Sequence, residues 1–551
     1  MERQGTSFTD STDLPLTIVI ISDAENAMAV NPYDEIPYSN IPHADSHPDH
    51  LATLGHLFGL SPAPVTQCRV LELGCAGGGN LIPMAFHLPG SEFLGVELSG
   101  RQVKIASKTI RDLHLPNVRV RQADILEIDR SWGYFDYIVC HGVYSWVPDE
   151  VRERILNISS ANLAPQGIAY ISYNTYPGWH MREMLRDMML FHANPFPDPA
   201  KRIEQARAMM DFLGHSTASS RTHSYDSLLK EGLAQIEHCA DYYLYHEYLE
   251  AVNTPVYFHQ FAERVQQHGL QYLADAELST MFSSSFPAET AETLDRLSQD
   301  LIRTEQYMDF VRNRMFRKTL LCHDDLTLKR SLSAADLTGL LVASPASPTE
   351  EPVNLRPGTS QTFRRPRGPS LATNHPLTKA ALLVLSRQWP RAINLETLVA
   401  EALTLLGDHQ FLAETDLQLG LNVLGDHLLQ GLLRGYLELH TWQADFTTDV
   451  SDRPKISELA WYLLAQRQPL VNPRHRLVEL DHPTELLGLA LDGTRNREAL
   501  LGYLMELVTK GDLVVRLDGE PLTDPDQIRD TLADGLEHSL DRVARAALLV
   551  A

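Results

Sequence analysis

Residues 70–80 read VLELGCAGGGN. An apolar burst carries Glu72 at its end and gives way to a glycine-rich turn. Gly74, Ala76 and Gly78 stand where a tight strand-to-helix turn needs little or no side chain, so that a ligand can approach the backbone and the next helix can pack closely. Such a turn by itself also suits a dinucleotide. The acids on the neighbouring strands narrow the choice.

Outward from this turn, the bursts CRVLEL, EFLGVEL, NVRVRQAD, FDYIVCHGV and GIAYISYN alternate with GNLIPMAFHL, SGRQVKIASKTIRDLHL and DEVRERILNISSANL. Short apolar runs alternating with longer amphipathic ones predict a doubly wound α/β domain with right-handed crossovers. The second strand ends in Glu97, 25 residues after Glu72, placed to accept both hydroxyls of a ribose. Asp124 follows the third strand, placed to accept an adenine amino group, with Ile125 as an apolar face. The fourth strand delivers FDYIVCHGVYSWV over the cleft. A pyrophosphate site would show GxGxxG and often a basic residue. The spacing here is GxAxG with acids around it, which suits a positively charged ligand.

These ordered motifs resemble the class I S-adenosylmethionine-dependent methyltransferases. The resemblance implies that the glycine turn holds the methionine part, the acid after the second strand the ribose, and the acid after the third strand the adenine. Carried onto this sequence, cofactor binding falls on Glu72, Gly74, Cys75, Ala76, Gly78, Glu97, Leu98, Asp124, Ile125 and the backbone at His141, with Tyr38 contributed by the arm. Ala76 stands where that family more commonly has glycine. A narrower likeness runs through NPYDEIPYS, SYNTYPGW, HEYLE, NTPVYF and the helical C-terminal half. It is similar to the rickettsial-type protein lysine methyltransferases that carry a methyltransferase regulatory domain. It implies S-adenosyl-L-methionine as cofactor, a protein or peptide acceptor and a homodimer.

Along the chain, residues 1–66 read as an N-terminal arm and lid, and 67–180 as the Rossmann-like core. Residues 181–245 read as a helical insertion suited to dimerisation, 246–285 as a closing helix and strand of the core, and 286–344 as a helical regulatory region. The proline-rich 345–370 reads as a linker, and 371–551 as mainly α winged-helix-like units. The expected fold is thus an α/β class I methyltransferase core with a helical insertion and a mainly α C-terminal region.

Methyl transfer from a sulfonium is an in-line displacement, in which a protein mainly aligns the acceptor and excludes water. His141, Tyr144 and Trp146 follow strand four, while Tyr173, Asn174, Tyr176 and Trp179 follow strand five; Tyr33 and Tyr38 could close from the arm. Aromatic faces guide a lysine stem and attract its cation. Tyr173, Asn174 and Tyr176 are the expected substrate-facing group, with His141 and Tyr144 as further catalytic candidates.

The chain of 551 residues carries 47 basic and 71 acidic side chains, a formal charge of -24. That field repels nucleic acid and anionic membranes. Five dispersed cysteines without CxxC give neither a disulfide framework nor a zinc knuckle. His43, His47 and His50 lie among prolines without an acid or cysteine at ligand spacing, so no metal is expected. The early apolar run is too short to span a bilayer and its flank is acidic, which predicts a cytoplasmic protein without membrane insertion. Arg364, Arg365 and Arg367 read as a solvated linker face, with docking to an acidic surface as the alternative. Two competing functions remain at this level: methylation of a small molecule or natural-product peptide, and a non-catalytic interaction protein with a vestigial Rossmann domain.

Overall fold

The computed structural model describes residues 32–36, 38, 40–217, 223–366, 368, 370–407, 414–517 and 520–551. They form two compact units, divided at Gly178 and Asn253.

The larger unit is built on a seven-stranded sheet: β1 (Arg69–Leu73), β2 (Glu92–Glu97), β3 (Val118–Gln122), β4 (Phe135–Cys140), β5 (Leu163–Asn174), β6 (Leu270–Asp275) and β7 (Phe316–His323). Their order is β3-β2-β1-β4-β5-β7-β6. The first five are parallel and β7 runs antiparallel to both neighbours. Chain direction across the sheet reverses between β1 and β4, so a crevice opens beyond their C-terminal ends.

Residues 286–344 read as helical in sequence, yet β7 lies within them and fills the sheet between β5 and β6. FRKTLLCH conceals its strand because Arg317 and Lys318 interrupt the apolar run. Arg317 is only 1% exposed. Its Nε and Nη2 donate to Asp309 at 2.8 and 2.9 Å and its Nη1 to Glu305 at 3.0 Å, both on the helix Leu301–Arg312. Asp275 of β6 lies 3.5 Å away. A buried guanidinium is tolerable only with such partners, and they come from elsewhere in the chain.

The stretch 345–370 is also more ordered than a linker. Ser347–Pro348, Gln361–Arg364 and Ser370–Thr373 form an antiparallel three-stranded sheet, anchored by the fully buried Phe363. Next, helices Pro376–Gln388, Leu395–Leu406 and Glu414–Leu433 accompany a small sheet in which Leu341–Ala343 lies between Ile393–Asn394 and Glu438–His440. This is a winged-helix-like arrangement. A second helical unit follows, with Glu458–Ala465, His482–Gly488, Arg497–Lys510 and Pro525–Arg545. Its Leu459, Leu463 and Leu500 share one apolar cluster with Ile82 and Ala106 of the Rossmann-like part, so the C-terminal region is welded onto helices beside the glycine turn.

The smaller unit holds the described residues up to Tyr38 and Gly178–Asn253. Helices Trp179–Ala193, Pro199–Thr217, His223–Glu237 and Asp241–Tyr248 enclose their own core, including Leu185, Met189, Leu229, Tyr245 and Tyr248.

Candidate active site

The glycine turn leaves β1 at the crevice. Gly74 and Gly78 adopt φ of 71° and 81°, and Ala76, with a side chain, adopts 46°. The left-handed conformation costs a non-glycine residue roughly 1–2 kcal/mol. Glu97 helps hold it: Glu97 Oε2 accepts the Ala76 N–H at 2.9 Å while Oε1 accepts the Ser99 N–H at 2.8 Å. The acid ending β2 is thereby tied to the turn leaving β1. Leu98 beside it is 56% exposed, an apolar surface at the crevice, and Ile125 is half-buried. Asp124 accepts the Leu126 N–H at 2.9 Å and so caps the short helix after β3.

Two further glycines have a different reason to be small. A Cβ on Gly77 would fall 2.2 Å from the Asn40 side-chain nitrogen, and one on Gly79 2.4 Å from the Asn40 carbonyl carbon. The Gly79 N–H donates to Asn40 Oδ1 at 3.2 Å. The arm therefore lies directly over the turn, a contact no local motif announces.

Glu72 is buried; its Oε1 accepts from Asn80 Nδ2 at 2.7 Å and its Oε2 has no protein partner. Asn80 Oδ1 in turn accepts the His43 N–H and His475 Nε2, both at 2.8 Å, joining turn, arm and C-terminal region. Burial, opposed by the Asn80 bond and reinforced by Glu97, pushes the Glu72 carboxyl up to about 7. Because this folded value lies above the unfolded one, the stabilising contribution is complete below about 4.5 and disappears as pH rises through 7. The difference in unfolding free energy between the wild type and Glu72→Gln should therefore fall by up to about 3 kcal/mol from pH 4.5 to 7, as read by urea denaturation across that range.

On the other side of the crevice, beyond β4 and β5, the His43 and His141 rings stack at 3.6 Å. His141 Nδ1 lies 2.8 Å from the Tyr170 hydroxyl, and the Gly142 N–H donates to Ser172 Oγ at 2.8 Å. Lys318 of β7 pairs with Asp45 of the arm. Burial, then the Lys318 charge, holds His43 down at about 4, and burial, with His43 and Lys318, holds His141 well below its usual range. Both imidazoles are neutral at neutral pH.

Glu72, Gly74, Cys75, Ala76, Gly78, Glu97, Leu98, Asp124, Ile125 and His141 all stand at or just after the C-terminal ends of β1 to β4. Two expected substrate-facing or catalytic residues require correction. Tyr173 is 1% exposed, stacks on Phe261 at 4.1 Å and bonds Thr319 Oγ1 at 3.0 Å. Tyr144 is fully buried, edge-on to the same Phe261 at 5.3 Å. Strand alternation turns Tyr173 to the helix-covered face, and the helix Phe258–Gln266 supplies its partner. Asn174 is buried, its N–H donating to Ser145 Oγ at 2.9 Å and its carbonyl accepting from Val256 at 3.1 Å. Tyr176 is half-buried beside Tyr257, with ring centroids 5.3 Å apart. Trp179 and Tyr38 belong to the helical unit, where Tyr38 meets Tyr242 and His246 edge-on at 5.6 Å; the Tyr33 side chain lies outside the described residues. Tyr173→Phe should lose about 1 kcal/mol of stability through its hydroxyl bond and leave KM for acceptor within twofold, a steady-state assay checking the second part.

Asn40, His43, Asn80, Asp45 and Lys318 escaped sequence reasoning as site residues. The arm segment SNIPHADSHP offered polarity but no address. His47 caps the helix Pro48–Leu57, and His50 bonds the Ala276 carbonyl at 2.7 Å.

Family models match three stretches of the chain: a methyltransferase domain at residues 70–167, a predicted methyltransferase regulatory domain at 240–323, and the PKMT C-terminal winged helix domain at 452–548. An uncharacterized protein of Rickettsia prowazekii (strain Madrid E) is 37% identical over 529 residues, covering 94% of each chain. Another from that organism is 44% identical over 241 residues, 44% of this chain and 96% of its own. The structure of PKMT2 from Rickettsia typhi in complex with AdoHcy is 33% identical, with a TM-score of 0.83 over 94% of this chain and 100% of that one. The chain belongs to the family of class I S-adenosylmethionine-dependent methyltransferases that combine a Rossmann-like core, a regulatory domain and a PKMT-type winged helix. It is a methyltransferase, and its cofactor is S-adenosylmethionine. Among the described residues, no helix is long and apolar enough to cross a membrane.

Proposed function

We propose that this protein methylates lysine side chains of a protein acceptor. The observation that carries the reading is the likeness, along nearly the whole chain, to PKMT2 with AdoHcy. Glu97 and Asp124 hold the ribose and adenine, Leu98 and Ile125 cover the adenine faces, and the turn from Gly74 to Gly78 with Glu72 and Cys75 holds the amino-acid end, together with the backbone at His141. The chemistry of this set fits the group: a buried carboxylate with an unpartnered oxygen at the amino-acid end, and an exposed leucine beside the acid of β2. When bound, S-adenosylmethionine supplies an electrophilic methyl group on a sulfonium.

The acceptor's side of the task falls to the chain. A free lysine has a pKa of ~10.4 and must lose its proton before its nitrogen can attack. The partly buried crevice disfavours the ammonium, and the nearby Lys318 charge pushes in the same direction. The neutral His43–His141 stack is held too far below the range of a base to take that proton, so the proton leaves to solvent before the nitrogen attacks. The acceptor is a protein rather than nucleic acid, in keeping with the charge of -24, and the enzyme works as a cytoplasmic homodimer.

The test is incubation of purified protein with labelled S-adenosylmethionine and total cell extract, followed by mass spectrometry. Methyl-lysine in discrete proteins is the expected result. Label confined to small molecules sinks the reading in favour of small-molecule methylation.

A further inference from the structure

A cleft of about 440 Å³ opens beside the crevice, between the arm, the end of β6 and the winged-helix-like region that contains Glu438–His440. Its walls include Ala44, Asp45 and His47 of the arm, and His43, one residue earlier, is the ring stacked on His141. Lys318 lines it too, and its register partner Ser172 accepts the Gly142 N–H in the crevice. The cleft and the acceptor side of the methyl-transfer site thus share the same two elements.

Its charges are unevenly committed. Four acids (Asp45, Asp49, Glu277, Glu438) and four bases (Lys318, Arg365, Arg474, Arg476) line it. Asp49 is saturated: it accepts from His440 Nδ1, the Thr441 N–H and hydroxyl, and the Trp442 N–H, all at 2.7–3.0 Å. Asp45 is paired with Lys318 and also feels Arg476. Glu277 is exposed at the rim.

That leaves Glu438 to face three guanidiniums: Arg365 at 3.4 Å, Arg474 at 2.5 Å and Arg476 at 3.2 Å. Each guanidinium carries about five N–H donors in a fork that matches a carboxylate. Besides Glu438, the acceptors their side chains meet among the described residues are the Gly435 carbonyl and His440 Nε2. Arg474 is held rigid over the Trp389 ring at 4.2 Å, while the Arg476 side chain is 49% exposed. In a chain of net charge -24, this is a local excess of cation built into a concave wall.

We propose that the cleft receives the segment of the acceptor protein next to the target lysine, and that Arg365, Arg474 and Arg476 bind a carboxylate of an Asp or Glu in that segment. The inference rests on the reading of the protein as a lysine methyltransferase and adds a sequence preference to it. The acceptor lysine then enters over the arm toward the His43–His141 stack while its acidic neighbour is held by the arginines. Arg365 comes from the basic cluster around residue 364, so the acidic-docking alternative for that cluster becomes its role.

The test uses the full chain and two fluorescein-labelled heptapeptides, one with a central Lys flanked by Glu on both sides and one with Gln in place of each Glu. Fluorescence anisotropy should show the Glu peptide binding about tenfold more tightly, a preference that shrinks in high salt. Arg476→Gln should abolish most of the preference, and Arg365→Gln should do the same, with calorimetric binding of S-adenosylhomocysteine confirming that both variants are folded. Equal affinity for the two peptides overturns the inference, as does a preference that survives both substitutions. Inorganic phosphate competing as well as the Glu peptide also overturns it, because the site would then be a free-anion site. Labelled lysines in cell extract without any peptide preference would remove this inference alone; a peptide preference without labelled lysines would remove the lysine-methylation reading and leave the anion site.

Discussion

Glu97→Gln should lower affinity for S-adenosylmethionine and S-adenosylhomocysteine by about 100-fold. Both carboxylate oxygens accept a backbone N–H, from Ala76 and from Ser99. A carboxamide has one accepting oxygen and one donating NH₂, so whichever way it is turned, one N–H meets another donor. The misfit with these two N–H groups costs stability, whereas the affinity loss comes from the two bonds proposed to the ribose hydroxyls: a hydrogen bond to a charged group contributes about 1.5–3 kcal/mol, and two weakened together amount to roughly two powers of ten. The substitution also removes the negative charge proposed to bind the ribose hydroxyls, and it loosens the positive-φ conformation of Ala76. Isothermal titration calorimetry with S-adenosylhomocysteine measures the loss, and the melting temperature shows whether the fold survives. Affinity within threefold of wild type would sink the proposed role of Glu97.

Arg317→Met should cost about 3–5 kcal/mol of stability, because removing one partner leaves buried charges uncompensated. Asp309, Glu305 and Asp275 all converge on this guanidinium. Arg314 still serves Asp275 at 2.8 Å and Asp309 at 3.8 Å, whereas among the described residues Glu305 would keep only the Tyr272 hydroxyl, at 2.8 Å. The double variant Arg317→Met with Glu305→Gln should therefore recover part of the loss. Urea denaturation of the wild type and both variants measures this. A single-variant loss below about 1 kcal/mol would mean that the ion cluster is not what holds β7 in the sheet.

The positions along β1 to β4 were legible because their geometry is local. Glu97 ends an apolar strand, Asp124 follows one, and Gly74 and Gly78 occupy positions whose backbone conformation excludes most side chains. A strand ending at the crevice in a parallel sheet needs only its own periodicity to be recognised. Tyr173 and Tyr144 failed the same reasoning. Position at the end of a strand suggests the cleft, but which face a side chain takes depends on strand register and on Phe261, 88 residues from Tyr173 and 117 from Tyr144. The strand β7 was concealed for a related reason: its two basic residues look exposed until the acids of another helix are placed against them.

By itself the sequence determined the class of core and the places of the glycine turn and of the acids at the strand ends, since each follows from spacing within one β-strand and its turn. Tertiary structure alone decided what stands across the crevice from these acids. Asn40 over the glycines, His43 on His141, Lys318 beside Asp45 and three arginines around Glu438 are all meetings of residues far apart in the chain. Local propensity carries no record of such contacts. They form because burying a charge or stacking a ring lowers the free energy only when a partner arrives from elsewhere in the fold.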